Sequence, residues 1–163
     1  MGFAYNPLMP ADSSEKVIAT NRKAFFNYEV LDRMEAGVCL RGSEVKSIRD
    51  GGFNFSDGYV EFRGGALYLV GCRIGPYSHA NRSNHSETRD RKLLLHKREI
   101  LKLGGKATEK GFTLLPLKAY FKNGRVKLEI GLARGKKAHD KREAIKRRDI
   151  DRETRQAVRS RRD

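Results

Sequence analysis

The chain has 163 residues, of which 35 are Lys or Arg and 20 are Asp or Glu, so its formal net charge is +15. This length corresponds to one domain, and the charge excess predicts a polyanionic partner. No apolar run approaches the roughly 18 residues that cross a membrane, and the N-terminus lacks the basic start and apolar stretch of a secretion signal. We therefore expect a cytoplasmic protein that does not contact membranes.

The composition changes at Gly135. Leu, Ile, Val and Phe make up 35 of the first 134 residues but only 3 of the last 29. The first part carries 23 basic and 14 acidic residues, and the last part carries 12 and 6. A segment with so few apolar residues cannot offset the entropy of ordering its chain. We expect a flexible N-terminal segment over 1–16, a folded domain over 17–134, and a basic tail over 135–163 that is disordered when free and becomes helical on nucleic acid.

The first predicted strand runs from Phe26 to Leu40, where seven of the eight even-numbered positions are apolar and the odd positions are mostly polar. This alternation is typical of a half-buried strand. Asp32 or Gly37 is expected to bend it. The next segment, 42–52, has two apolar residues three positions apart and glycines at both ends, which predicts a short helix.

A hairpin, a loop and a second helix are predicted in the middle of the chain. Segments 59–62 and 67–74 flank an Arg-Gly-Gly turn, which favours a hairpin. Residues 76–90 are polar and predict a long surface loop. Between 91 and 103, the leucines and isoleucine fall on one helical face, which predicts a helix that ends at Gly104.

The last two strands are predicted at 113–122 and 125–134, because Asn123-Gly124 between them is a strong hairpin signal. Pro116 indicates an edge or a bulge in the first of these strands. Five or six strands with short connections and two or three short helices predict a mainly β protein. The expected fold is an oligonucleotide-binding-like closed antiparallel β-barrel followed by the basic tail.

The sequence offers no constellation for catalysis or metal binding. Its four histidines are scattered, and none is accompanied by a cluster of cysteines or carboxylates. Segment 131–137 resembles a phosphate loop but has three residues between its glycines and no Ser or Thr after the lysine. Cys39 and Cys72 lie in apolar runs and are expected to be reduced core thiols. We therefore expect a non-enzymatic protein that needs neither cofactor nor metal. The histidines are His79, His85, His96 and His139.

The charge distribution favours RNA as the partner. A membrane-bound helix would need a wide apolar face, which the tail lacks. A small basic barrel can present aromatic side chains and cations to unstacked bases. Most aromatic residues in strands are core residues, so the candidates for stacking keep that alternative. They are Phe25, Tyr59, Tyr77 and Tyr120.

Several ordered motifs between Asn21 and Arg148 resemble the SsrA-binding protein family, also called small protein B, of bacterial trans-translation. This resemblance implies an oligonucleotide-binding-type barrel that binds the transfer-RNA-like domain of tmRNA. It also implies delivery of tmRNA, with elongation factor Tu, to ribosomes stalled without a complete codon, and a monomeric adaptor rather than an enzyme. The motifs are Asn21-Arg22-Lys23-Ala24, Glu35-Ala36-Gly37, Gly42-Ser43-Glu44-Val45-Lys46-Ser47, Arg91-Lys92-Leu93-Leu94-Leu95, Gly135-Lys136-Lys137 and Asp140-Lys141-Arg142.

The resemblance also implies two groups of binding residues. The tmRNA-binding group is Asn21, Arg22, Lys23, Glu35, Leu94 and Lys127. In the tail, His139 is expected to stack on a base of the decoding centre, and the residues beyond it are expected to enter the empty messenger channel as a helix. The group assigned to the ribosome is Gly135, Lys136, Lys137, His139, Asp140, Lys141, Arg142 and Ile150.

The chain departs from the family pattern at two places. Ser86-Glu87 replaces the usual Asp-Pro before the arginine stretch, and Ala157 and Val158 stand where the family carries bulkier apolar residues. Composition alone also permits a structural ribosomal protein or a general RNA-binding protein with a similar barrel. An RNA-processing enzyme is a third alternative, which the lack of a catalytic constellation disfavours.

Overall fold

The computed structural model describes residues 15–80 and 84–160. These residues form a mainly β fold with four helices. In chain order, the elements are β1 (Lys16–Thr20), α1 (Arg22–Asn27), β2 (Tyr28–Val38), α2 (Gly42–Arg49), β3 (Phe53–Asn54), β4 (Tyr59–Arg63), β5 (Ala66–Val70), β6 (Arg73–Ile74), β7 (Arg91–Leu94), α3 (Lys97–Ala107), β8 (Phe112–Lys122), β9 (Arg125–Gly135) and α4 (Ala138–Ser160).

Six antiparallel strands form a closed ring in the order β8, β4, β5, β7, β2, β9, and the ring closes because β9 also pairs with β8. Strand β8 has room for a third partner because β4 pairs with it at Leu114, while β1 pairs with its second half from Lys118 to Phe121. Strands β3 and β6 form a separate two-stranded sheet. Closure leaves few free strand edges on the six-stranded ring.

Strand β2 is shorter than the predicted strand over 26–40. The first residues of the predicted strand, including Phe26, belong instead to helix α1. The alternation of apolar and polar residues therefore extends beyond the strand into this helix. The predicted bend is confirmed at Asp32, because the pairing of β2 with β9 shifts between Val30 and Asp32 and leaves Leu31 as an exposed bulge residue.

The predicted last hairpin is confirmed. Asn123 and Gly124 both have positive φ, at 51° and 73°, as the twist of a two-residue hairpin turn requires. Pro116 lies at a bulge, because the register of β8 against β9 shifts between Pro116 and Lys118. The predicted short helix over 42–52 is confirmed as α2, and the predicted middle hairpin is confirmed as β4 and β5.

The predicted helix over 91–103 is wrong in its first part. Arg91 and Leu93 are buried while Lys92 and Leu94 are exposed, so strand β7 has the two-residue period of a sheet. Helix α3 begins only at Lys97. It also continues through the two glycines that were expected to end it.

Helix α3 needs a glycine at position 104 because it packs closely on the ring at this point. A Cβ atom at this position would lie 2.7 Å from the Phe62 ring. The missing side chain therefore lets the helix approach β4.

The core inside the six-stranded ring is made of aliphatic side chains from several strands. Its fully enclosed members include Leu67, Leu69, Leu93, Leu114, Leu128 and Ile130. Outside the ring, Ala24 of α1 packs with Leu115, Leu117 and Ala133 in a second, smaller cluster. Helix α1 is therefore held on the outer face of β8 and β9.

A buried ion cluster ties α2 to the ring. The Glu44 carboxylate accepts hydrogen bonds from Arg91 Nε at 2.9 Å and from the Arg89 guanidinium at 2.6 and 2.8 Å. The side chains of Glu44 and Arg91 are both 0% exposed. Arg91 also donates to the carbonyl oxygens of Cys72 and Glu87, so the cluster fixes the end of the loop before β7.

The predicted surface loop over 76–90 is confirmed for its described residues, which form no helix or strand. One residue differs, because His85 is buried between the Ser43 hydroxyl at 2.9 Å and the Ile74 carbonyl at 3.0 Å. Cys72 is a buried free thiol as expected, whereas Cys39 is exposed. No helix among residues 15–80 and 84–160 is long and apolar enough to cross a membrane.

Candidate nucleic-acid interface

The residues expected to bind RNA lie in three places. One group lines a shallow cleft near the end of β2, and a second lines another cleft near its start. The third lies on helix α4. Tyr28 pairs with Gly135 at one end of the β2–β9 ladder and Gly37 pairs with Lys127 at the other. The two clefts therefore lie toward opposite ends of this ladder, nine residues or about 30 Å apart along β2.

The first cleft, called the Glu35 cleft, brings together Glu35, Leu94 and Lys127, which are distant in sequence. Leu94 has 53% of its surface exposed, so it is part of the surface and not a core residue. It lies over Gly37, where a Cβ atom would come within 3.2 Å of the Leu94 side chain. The remaining lining comes from the start of α3 and its preceding residues: Leu95, His96 and Glu99.

Two donors from β8 hold the Glu35 carboxylate. The Tyr120 hydroxyl donates a hydrogen bond to Glu35 Oε2. The Lys122 ammonium lies 3.1 Å from the same oxygen and 3.4 Å from Oε1. The Tyr120 hydrogen bond is the main cause that lowers the pKa of Glu35, and Lys122 and Lys127 lower it further against the opposing effect of burial. Burial and the Glu35 carboxylate raise the pKa of Tyr120. Glu35 is therefore a fixed, ionised acceptor.

The second cleft, called the Asn21 cleft, contains the start of α1 and the end of β9. Asn21 is only 9% exposed. Its side chain donates to the Pro116 carbonyl at 2.8 Å and accepts from the Ala24 amide at 3.1 Å as the helix N-cap. These bonds engage both ends of the amide group, so Asn21 positions α1 against β8 rather than presenting a free polar group.

Arg22 and Lys23 are exposed at the start of α1. Lys23 pairs with Asp57 at 2.5 Å, which raises the pKa of Lys23 and lowers that of Asp57. Both side chains of this pair are largely exposed, so water and salt screen the attraction. The cleft also contains the exposed ring of Tyr59, one of the aromatic candidates.

Gly135 and Lys136 form the junction between the ring and the tail. The Lys136 amide donates to the Asn27 carbonyl at 2.9 Å, and the Lys136 ammonium donates to the Phe25 carbonyl at 3.0 Å. Lys136 therefore satisfies a carbonyl at the end of α1 and holds the tail to the body. Lys137 is exposed, and its carbonyl accepts from the Lys141 amide where α4 begins.

Helix α4 carries the rest of the tail residues and has no buried residue. His139 is 80% exposed, 3.9 Å from the Asp140 carboxylate and 3.8 Å from Glu143. Arg142 and Ile150 are also exposed. The helix contacts the body through α1, where the Arg148 guanidinium lies 5.0 Å from the centre of the Phe26 ring.

The aromatic candidates fall into different environments. Tyr120 is buried and Phe25 lies beneath the Arg33 guanidinium at 5.4 Å. Tyr77 lies beneath the Lys46 ammonium at 5.6 Å, and Tyr59 is exposed in the Asn21 cleft.

The sequence interpretation missed Tyr120 and Lys122 as partners of Glu35. The sequence did predict one neighbour of Tyr120, because a two-residue turn at Asn123-Gly124 places Tyr120 opposite Lys127. The pairing of Glu35 with Tyr120 is not encoded locally, since it joins residues 85 positions apart.

Among the residues that the structure describes, no group of three or more His, Cys, Asp or Glu side chains could hold a metal ion. The buried side-chain polar atoms of the described residues all have hydrogen-bond partners. Groups available for ligands are therefore exposed ones, and those at the two clefts and on α4 are among them.

A closed β-ring with lysine-bearing clefts and an arginine-rich helix defines a class of small basic protein suited to an extended polyanion such as RNA. The SmpB protein family model matches residues 18–160, and the chain belongs to this family. The sequence resemblance to the SsrA-binding protein family is thereby confirmed.

Individual relatives cover nearly the whole chain. The SsrA-binding protein of Sulfurihydrogenibium sp. (strain YO3AOP1) is 55% identical over 140 residues, which are 86% of this chain and 92% of the relative. The SsrA-binding protein of Carboxydothermus hydrogenoformans is 52% identical over 147 residues, 90% of this chain and 99% of the relative. A solved chain described as "tmRNA-SmpB: a journey to the center of the bacterial ribosome" is 47% identical with a TM-score of 0.64. It covers 78% of this chain, and this chain covers 93% of it.

Proposed function

We propose that this protein is a tmRNA-binding adaptor that delivers tmRNA to stalled ribosomes for trans-translation, tagging of the incomplete peptide and ribosome rescue. Family membership and relatives named SsrA-binding protein support this function. The structural observation that carries it is the meeting of Glu35, Leu94 and Lys127 in one open cleft. A cation, an apolar surface and a fixed acceptor suit the phosphate, base face and polar edge of a nucleotide.

The six-stranded ring is proposed to be an oligonucleotide-binding-type barrel. Closure of the strands through the β8–β9 pairing supports this assignment, and such barrels bind oligonucleotides on a strand face and adjacent loops. The Glu35 cleft lies at the junction of β2, β7 and β9, where such a face would be formed.

The body is proposed to bind the transfer-RNA-like domain of tmRNA. Lys127 contacts phosphate, Leu94 packs on a base or ribose, and Glu35 accepts a hydrogen bond from RNA. Arg22 and Lys23 add phosphate contacts at the Asn21 cleft. Asn21 acts through the position of α1, because its side chain is engaged with Pro116 and Ala24.

The tail over 135–163 is proposed to enter the decoding centre and the empty messenger channel. The exposure of His139 leaves its ring free to stack on a base, and Lys137, Lys141 and Arg142 can approach ribosomal RNA phosphates. Ile150 projects an apolar side chain from α4 and can anchor it on the channel wall. Gly135 and Lys136 hold the tail at its point of departure, and Asp140 lies within the first turn of the helix.

The tail is further proposed to be disordered in the free protein and to adopt the α4 helix on the ribosome, since this helix buries none of its residues against the body. The adaptor acts as a cytoplasmic monomer without cofactor or metal. It meets elongation factor Tu through their shared binding to tmRNA, and its role is binding rather than catalysis.

A competition experiment tests the proposal. Labelled transfer-RNA-like domain of tmRNA is bound to the full chain at moderate salt and challenged with unlabelled tmRNA, ordinary transfer RNA and bulk RNA. We expect tmRNA to compete at far lower concentration than the other two, because nonspecific phosphate contacts alone are strongly weakened by salt. Equal competition by all three would contradict the adaptor function and favour a general RNA-binding protein.

A further inference from the structure

The Glu35 cleft holds an acidic side chain on a surface that otherwise attracts phosphate. A mobile carboxylate at this position would repel the RNA backbone. The structure instead shows a carboxylate that is restrained and partly neutralised by its neighbours on β8, Tyr120 and Lys122. An anion held in this way can serve as an oriented acceptor.

The two neighbours occupy one side of the carboxylate. Tyr120 and Lys122 both contact Oε2, and the only other contact is the longer one of 3.4 Å between Lys122 and Oε1. An ionised carboxylate offers about four acceptor positions on its two oxygens. Oε1 therefore keeps acceptor capacity for a ligand, among the contacts made by the described residues.

Tyr120 is well suited to hold this geometry. It is 5% exposed, so its ring is fixed by packing while its hydroxyl contacts Glu35, which lines the cleft. It also pairs directly with Lys127 across the β8–β9 ladder. One rigid hairpin thus positions both the restraint on Glu35 and the cation beside it.

We propose that Tyr120 is a positioning residue for RNA specificity, which orients Glu35 so that Oε1 accepts a hydrogen bond from a base amino group or a ribose 2′-hydroxyl. Lys127 binds a neighbouring phosphate without regard to sequence. This inference rests on the proposed function and names the residue that separates one RNA from another at the same cleft. Groups that recognise donors on base or ribose carry selectivity, whereas phosphate contacts carry affinity.

The main test is Tyr120→Phe in the full chain, which keeps the ring and removes the hydroxyl. Dissociation constants are measured for the transfer-RNA-like domain of tmRNA and for ordinary transfer RNA at several salt concentrations. We expect the tmRNA affinity to fall about tenfold and the ordinary transfer RNA affinity to change by less than about twofold. The salt dependence should be unchanged, because no phosphate contact is lost.

Two further readouts separate positioning from a general loss of structure. The carboxyl pKa of Glu35, followed by NMR without RNA, should rise in Tyr120→Phe because the hydrogen bond that lowers it is gone. In a double-mutant cycle, Tyr120→Phe should have little further effect in a Glu35→Gln background, because both changes act on the same hydrogen bond to RNA.

The matched control is Tyr68→Phe, which removes a tyrosine hydroxyl from β5 outside both clefts. It should leave both RNA affinities and the Glu35 pKa unchanged. Equal weakening of both RNAs by Tyr120→Phe, or an unchanged Glu35 pKa, would overturn the positioning role.

Substitutions of Glu35 and Lys127 distinguish an error about Tyr120 from an error about RNA binding at the cleft. If Glu35→Gln weakens tmRNA binding and Tyr120→Phe does not, only the role of Tyr120 is wrong. If Glu35→Gln and Lys127→Ala both leave tmRNA binding unchanged in folded protein, the proposed binding function of the cleft is wrong.

Discussion

The six-stranded ring and helix α4 both carry excess positive charge, and they differ in how the fold supports it. The ring surrounds an aliphatic core and holds the buried Glu44–Arg91 pair. Helix α4 has 23 residues and none of them is buried. The main feature that joins it to the body is its contact with α1, through Arg148 and Phe26.

This contrast separates two modes of RNA recognition. The clefts lie on strands that are already ordered around the core, so the proposed RNA binding there would cost little ordering free energy. The tail, which we propose to be disordered in the free protein, would gain order when it binds, and this lowers its affinity but allows it to follow the shape of a channel. The proposed function thus assigns firm binding of one RNA to the body and the detection of an empty channel to the tail.

Removal of the tail is expected to have the largest effect, and it tests whether the body and the tail have separate activities. A chain that ends at Lys137 keeps Lys136 on the carbonyls of α1 and loses all of α4. We expect it to retain most of its affinity for the transfer-RNA-like domain of tmRNA and to lose peptide tagging on stalled ribosomes. Binding by filter retention and tagging in a reconstituted translation system measure the two activities.

A second truncation, ending at Arg134, serves as the comparison. It removes the two Lys136 hydrogen bonds as well, so it should also destabilise α1 and lower tmRNA affinity at the Asn21 cleft. If the chain ending at Lys137 stays folded but loses its affinity for tmRNA, the body alone does not bind tmRNA.

The next largest effect is expected from the buried charge of the body. Glu44→Gln leaves Arg91 as a buried charge without its anion, which should lower the free energy of unfolding by about 3–5 kcal/mol. Glu143→Gln on α4 is the matched control, because its carboxylate is exposed and contacts only His139 among the described residues. Chemical denaturation should show no change for the control, and an equal loss in both variants would contradict the comparison.

The same residue gives the body a pH dependence. Burial raises the pKa of Glu44, but Arg89, the Arg41 amide and Arg91 lower it more, so its folded pKa lies below its ordinary value. A lowered pKa adds stability that is present above about pH 4.3 and is lost as the pH falls through the folded pKa. Denaturation between pH 7 and pH 3 should show this loss in the wild type and a smaller loss in Glu44→Gln.

Much of this fold could be predicted from local patterns, and the failures have physical causes. The Asn123-Gly124 hairpin is specified by two adjacent residues, so its strands and register were predictable. The segment 91–103 was misassigned because Leu93 and Leu94 fit a helical face and a strand equally well in so short a run. The strand is decided by contacts distant in sequence: β7 pairs with β5 and β2, and Arg91 is buried against Glu44, 47 positions away.

The candidate site shows the same limit. Glu35, Leu94 and Lys127 were expected from resemblance to the family, but their assembly in one cleft depends on the pairing of β2 with both β7 and β9. Tyr120 was predictable only as a strand aromatic, since its contact with Glu35 spans β9 and depends on the pairing of β9 with both β2 and β8. Asn21 was expected to bind RNA, and its two protein hydrogen bonds become evident only when α1 is placed on β8.

A smaller change in stability is expected from helix α3, which packs on the ring, whereas α4 has no buried residue. In Gly104→Ala the new Cβ would lie 2.7 Å from the Phe62 ring, which should destabilise the protein by about 1–3 kcal/mol. Gly105→Ala meets nothing within 4 Å and should stabilise it by up to about 1 kcal/mol through helix propensity. Thermal denaturation of the two variants should shift in opposite directions, and a Gly104→Ala variant as stable as Gly105→Ala would show that α3 does not pack closely on β4.

The smallest expected effect locates the boundary between the ordered body and the tail. Arg148→Ala removes the guanidinium from the Phe26 ring, a contact worth about 0.5–1 kcal/mol at an exposed site. If the first turns of α4 are held by this contact in the free protein, their amide hydrogen exchange should become about two to five times faster. Arg152→Ala provides the control with the same gain in helix propensity and no contact with α1, and it should not accelerate exchange in those turns. Equal exchange in both variants would place the boundary at Lys136, where the last hydrogen bonds from the tail to α1 are made.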